Sequence, residues 1–127
     1  MDIRISVGSV SLEAKLYDTP TALKVGEVLP LDLPFNTWGD EIYFEIPVDM
    51  GLDEKAQEEV SVGDLGYWPA GRAFCIFFGP TPKSTAGKII PASAVNMIGR
   101  VKDDVAQLKG VMNADRIVVE AHGKAGP

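Results

Sequence analysis

The run Ala-Phe-Cys-Ile-Phe-Phe at 73–78, read with Arg72 as one strand over 72–78, constrains this chain more than any other stretch. Pro69-Ala70-Gly71 fences it in front and Gly79-Pro80-Thr81-Pro82 behind. A segment this short between turn signals has strand length. It carries no polar residue on alternate positions to face water, so it reads as a strand buried on both faces. The wider stretch 63–84 holds five of the ten aromatic side chains, three of the nine prolines and the only cysteine. A strand of this kind with decorated loops at both ends is where a shaped pocket is expected.

The rest of the chain supplies further strands. Ile3, Ile5 and Val7 alternate with Arg4 and Ser6, and Val10, Leu12, Ala14 and Leu16 alternate with Ser11, Glu13 and Lys15. With Gly8-Ser9 between them, the two form an antiparallel hairpin. Asp18 or Thr19 caps a short helix over 19–25, with Pro20 at its first position and Gly26 as its stop. Residues 29–34, punctuated by Pro30 and Pro34, suit an edge strand or an extended connector. Residues 35–40 form a structured turn. A strand over 41–46 sets Glu41, Tyr43 and Glu45 against Ile42, Phe44 and Ile46, and Pro47 ends it. Residues 50–59 read as an exposed polar loop. Strands follow over 65–68, 88–90 and 95–101, the last with Gly99 as a bulge or close approach. Asp103 or Asp104 caps a second short helix that Gly110 stops. The final strand covers 116–121, and the tail 123–127 is loose. The expected class is mainly β: about eight strands with two short helices. A closed β-barrel is the economical way to hide the edges of such a sheet.

At 127 residues the chain fits one domain, 1–127. Its net charge of −6 disfavours nucleic acid and anionic membrane as partners. A single cysteine excludes a disulfide framework and any multi-cysteine metal site. There is no apolar run of ~20 residues and no basic-then-apolar leader, so the cytoplasm is the expected compartment. Asp53, Glu54, Glu58 and Glu59 lack the alternation of a calcium loop and read as a solvated face. No metal and no cofactor is expected.

Several chemistries fail on residue type. Cys75, inside an apolar strand, reads as core packing. Ser84 and Ser93 have only His122 as a base for a triad. The run 79–89 resembles a phosphate loop only superficially: its spacing is wrong and two prolines remove cradling N–H groups. Asp40, Glu41, Glu45 and Asp64 stand near pocket mouths, where turn capping competes with acid–base chemistry. The aromatic residues say more. Alternation sends Tyr67 and Trp68 to opposite faces, and Phe77 and Phe78 likewise. The candidate site is therefore an aromatic groove of Trp38, Tyr67, Trp68 and Phe78. Arg72, Thr81 and Ser84 supply polar contacts to a small molecule or short peptide.

Three motifs carry a resemblance: Trp-Gly-Asp-Glu-Ile-Tyr-Phe at 38–44, Gly-Asp-Leu-Gly-Tyr-Trp-Pro-Ala-Gly at 63–71, and Ile-Phe-Phe-Gly-Pro-Thr-Pro-Lys-Ser at 76–84. Together with 95–101, they resemble a family of small prokaryotic cyclophilin-like proteins of unknown function. The resemblance implies a closed cyclophilin-type barrel with a helix after the second strand. It does not carry over the prolyl isomerase site. The strand 41–46 has no arginine, the chain has no Phe-His-Arg pattern, and no catalytic residue transfers. Related barrels also occur as subunits of ATP-dependent amide- and lactam-hydrolysing enzymes, so the fold leaves function open. Ligand binding in the groove is the first expectation. An unconventional isomerase using Arg72 over an aromatic floor is the second. The third is an interaction module, or subunit of a larger enzyme, that uses an aromatic patch as a homo-oligomer or partner surface.

Overall fold

The computed structural model describes residues 1–122, so the tail 123–127 lies outside the described residues. The opening hairpin is β1 (Asp2–Val7) and β2 (Val10–Leu16), in register from Asp2↔Lys15 to Val7↔Val10. Helix α1 (Pro20–Glu27) follows, with the Thr19 side chain accepting from the Ala22 N–H and Pro20 in the first turn. The helix runs through Gly26 instead of stopping there, because the Val28 N–H still reaches the Val25 carbonyl. Ala22 and Val25 face the core.

The remaining strands are β3 (Leu31–Leu33), β4 (Asn36–Thr37), β5 (Glu41–Glu45), β6 (Asp64–Trp68), β7 (Ala73–Phe77), β8 (Asn96–Val101) and β9 (Ile117–Ala121). A short 3-10 turn, Pro69–Gly71, joins β6 to β7. The second expected helix is also 3-10, Val105–Gly110, capped by Asp104. Residues 88–90 give only an isolated bridge, Val60↔Ile89, whereas two residues of the expected turn at 35–40 form β4. Gly99 makes the expected close approach: a Cβ there would collide with the Lys15 carbonyl oxygen.

The expected closed barrel is corrected to one curled, open sheet of nine strands, ordered β3-β9-β1-β2-β8-β6-β7-β5-β4. Its edges are consecutive in the chain. Segment 31–37 pairs first with β9 and then, after Pro34 and Phe35, with β5 on the opposite edge of the sheet. Two residues hold the edges within about 11 Å at that point, but no ladder joins them. Pro30 and Pro34 flank the three-residue β3 and offer no N–H to a closing ladder. The resulting seam is a shallow depression lined by Pro30, Leu31, Glu45, Ile46, Pro47 and Arg72.

β7 is buried on both faces, as its sequence requires. Phe74, Ile76 and Phe78 enter the main core inside the curl, where Phe44 and Phe74 stack with ring centroids 5.2 Å apart. Ala73, Cys75 and Phe77 face outward into a second, smaller core with Val60, Ile89 and Val95. Those three partners come from the irregular segments before β6 and before β8, which fold back over the outside of the sheet.

Candidate functional site

Beside that outer core lies a cleft of about 260 Å³, lined by Trp38, Glu41, Tyr43, Trp68, Pro91, Ala92 and Val95. Alternation along β5 places Glu41 and Tyr43 on one face, and β6 delivers Trp68 to the same side. Tyr43 and Trp68 meet edge to face, centroids 6.4 Å apart and planes at 86°. The indole N–H of Trp68 donates to Ser93 Oγ at 2.6 Å, which fixes the ring's tilt. Gly71 supports the ring from below. A Cβ at that position would stand 2.6 Å from Trp68 Cε3 and Cζ3, so a side chain at 71 would displace the indole.

The turn before β5 aims Trp38 and Glu41. The Trp38 N–H donates to the Glu41 carbonyl, and Gly39 takes φ +61°, a conformation that favours glycine. The Asp40 N–H donates to the Pro80 carbonyl, and the Phe78 N–H to the Asp40 carbonyl. The far wall is set by the 81–90 loop. Thr81 Oγ1 donates to the Ile90 carbonyl, while Ser84 Oγ accepts from the Thr81 and Ile90 N–H groups. This clamp presents Pro91 and Ala92 to the cleft.

Glu41 is the unusual member. It is only 5% exposed, yet it lines the cleft. The other three carboxylates expected near pocket mouths, Asp40, Glu45 and Asp64, all have cations. Asp64 pairs with Arg100 at 2.7 Å, Glu45 with Arg72 at 2.9 Å, and Asp40 with Lys109 at 3.8 Å. Among the described residues, no cation stands within ion-pair distance of Glu41. Burial therefore pushes its carboxyl up to about 7, opposed by a hydrogen bond with the Cys75 thiol of neighbouring β7. The Cys75 thiol is itself raised well above its usual range, first by burial and then by the charge of Glu41. A buried, neutral thiol is a poor nucleophile. Glu41 can hold or release a proton near neutral pH and offers a hydrogen bond to whatever enters the cleft.

The residues expected from sequence are divided by the structure. Trp38 and Trp68 line the cleft. Tyr67 does not: it is fully buried inside the curl, its hydroxyl donating to the Val48 carbonyl at 2.6 Å and accepting from the Met50 N–H. Phe78 likewise belongs to the main core. Arg72 stands at the seam in its ion pair with Glu45, in a left-handed conformation at φ 49°. Thr81 and Ser84 brace the wall from behind. The sequence places Glu41 near a pocket mouth but does not single out Tyr43, Pro91, Ala92 or Val95 for the site. His122 meets Glu13 and Arg4 on β2 and β1, while Ser93 is engaged by Trp68. Among the described residues, no three His, Cys, Asp or Glu side chains cluster as a metal site, and no helix is long and apolar enough to cross a membrane.

A family model described as cyclophilin-like matches residues 1–120. The hypothetical protein AF2241 from Archaeoglobus fulgidus, whose solution structure is known, is 42% identical, with 96% of this chain and 95% of that one covered and a TM-score of 0.80. McbB, solved in complex with tryptophan, shares the fold at 14% identity and a TM-score of 0.71. The match takes in 98% of this chain and 46% of that one. No curated protein matches the sequence.

Proposed function

This chain belongs to the cyclophilin-like family, and from that premise we propose that it binds a small, largely apolar molecule in the cleft between Trp38, Tyr43 and Trp68. One observation carries the reading: Glu41 is a buried carboxyl that, among the described residues, has no cation partner, and it opens onto an aromatic cavity. A polar group in such a place costs stability and is ordinarily matched by a partner. A ligand supplies the match. The volume, about 260 Å³, lies just under the usual range for small-molecule pockets and suits a compact ring compound better than a peptide. Tryptophan, the molecule bound in McbB, is a compound of this kind, although at 14% identity that parallel extends no further than the fold.

The alternatives have less support. The isomerase reading needed Arg72 above an aromatic floor, and Arg72 is engaged by Glu45 at the seam. The partner-surface reading needed exposed rings. The large apolar residues most open to solvent are Met1, Leu23, Leu52 and Val62, none of them aromatic. Ligand-observed NMR with a set of small ring compounds tests the proposal. Saturation transfer is expected with the native chain and is expected to disappear with Trp68→Ala. Equal transfer with both proteins would refute it.

A further inference from the structure

We infer that the ligand of this cleft is a small ring-bearing amine, with its ammonium group against the Glu41 carboxylate and its apolar body among the rings of Trp38, Tyr43 and Trp68. The inference rests on the cleft being a ligand site and adds the chemistry of the ligand.

The groups around Glu41 leave little else. From its own strand comes the Tyr43 phenol. From β7 comes the buried Cys75 thiol, and from β6 the Trp68 indole, already committed to Ser93. Pro91, Ala92 and Val95 close the far side with apolar surface. Two lysines of flanking segments are engaged elsewhere: Lys83 Nζ donates to the Ala92 carbonyl, and Lys109 pairs with Asp40. An anionic ligand would bring a second negative charge into a poorly solvated space, where repulsion is strong. A neutral hydroxyl offers one hydrogen bond but leaves the charge uncompensated. An ammonium group compensates it and finds aromatic rings beside the carboxylate, the arrangement in which cations bind well. The net charge of −6 adds a favourable long-range field for a cation.

The test uses the full chain and three matched probes: phenethylamine, phenethyl alcohol and hydrocinnamate. Trp38 and Trp68 are the only tryptophans, and both line the cleft, so their fluorescence reports its occupancy. At mildly alkaline pH, phenethylamine is expected to bind about tenfold or more tightly than the alcohol, and hydrocinnamate more weakly than either. Glu41→Gln keeps the side chain's size and is expected to abolish the amine's advantage over the alcohol. If amine and alcohol bind alike, or if Glu41→Gln leaves the amine's advantage intact, the amine inference is overturned while the cleft remains a binding site. If none of the three probes perturbs the tryptophans, both the inference and the ligand-site reading are overturned.

Discussion

Tyr67 and Glu41 each carry a polar group into a buried place, one on the inner face of the curled sheet and one on the outer. Inside, the Tyr67 hydroxyl has the Val48 carbonyl and the Met50 N–H, and the rings around it leave no opening. Asn96 is treated in the same way: its side chain donates to Thr21 and to the Gly51 carbonyl and accepts from the Asp53 N–H. Outside, the Glu41 carboxyl has one weak thiol neighbour and a cavity in front of it. Depth of burial therefore does not distinguish the two residues. What separates the two faces is whether the protein itself completes the hydrogen bonding.

The sharpest way to break this contrast is to neutralise Glu41. In the unfolded chain its carboxyl loses a proton near 4.5, but in the folded chain it keeps the proton to about 7. The unfolded state is thus favoured progressively as pH rises from 4.5 to 7, and the loss is constant above that. The gap corresponds to roughly 3 kcal/mol. Glu41→Gln is expected to be more stable than the parent by up to that amount above pH 7 and equal to it below pH 4.5. Denaturant titrations across pH will check this, and a variant less stable at alkaline pH would contradict it. The inner face should respond in the opposite sense. Tyr67→Phe leaves the Val48 carbonyl and the Met50 N–H without their partner, and is expected to cost about 1–3 kcal/mol. A neutral result in chemical denaturation would remove the distinction between the faces. The smallest effect is expected at the seam. Arg72→Gly relieves a left-handed residue and loses only an exposed ion pair, so stability should change by about 1 kcal/mol or less, with no effect on ligand binding. A loss of binding there would return Arg72 to the site.

Much of the fold was legible because it follows from alternation and turn chemistry. The hairpin, the Thr19-Pro20 helix start and the doubly buried β7 needed nothing from distant parts of the chain. Closure is not legible, because the sequence does not tell which edge a short Pro-flanked segment will choose. Segment 31–37 chooses both in turn. The site was half legible. Trp38 and Trp68 were recognised as rings beside turns, but Tyr67 and Phe78 could not be told from them by residue type. Pro91, Ala92 and Val95 are brought in by a loop from far along the chain. One sequence signal bears on that outer margin. β7 is apolar on both faces, so something must cover its outer side. The neighbouring outward residues Glu41 and Tyr43 then lie at the margin of that cover and not in open water.

The seam between Leu33 and Asn36 has a further consequence for how such chains vary. A barrel closed by hydrogen bonds must keep a whole-number stagger around its wall, so any change of length propagates into every strand. Here the wall is fastened by two residues of covalent chain. Its girth is set by the reach of Pro34 and Phe35 and escapes that counting rule. Insertions or deletions at this fastening are therefore expected to leave the pairing of the other strands in place.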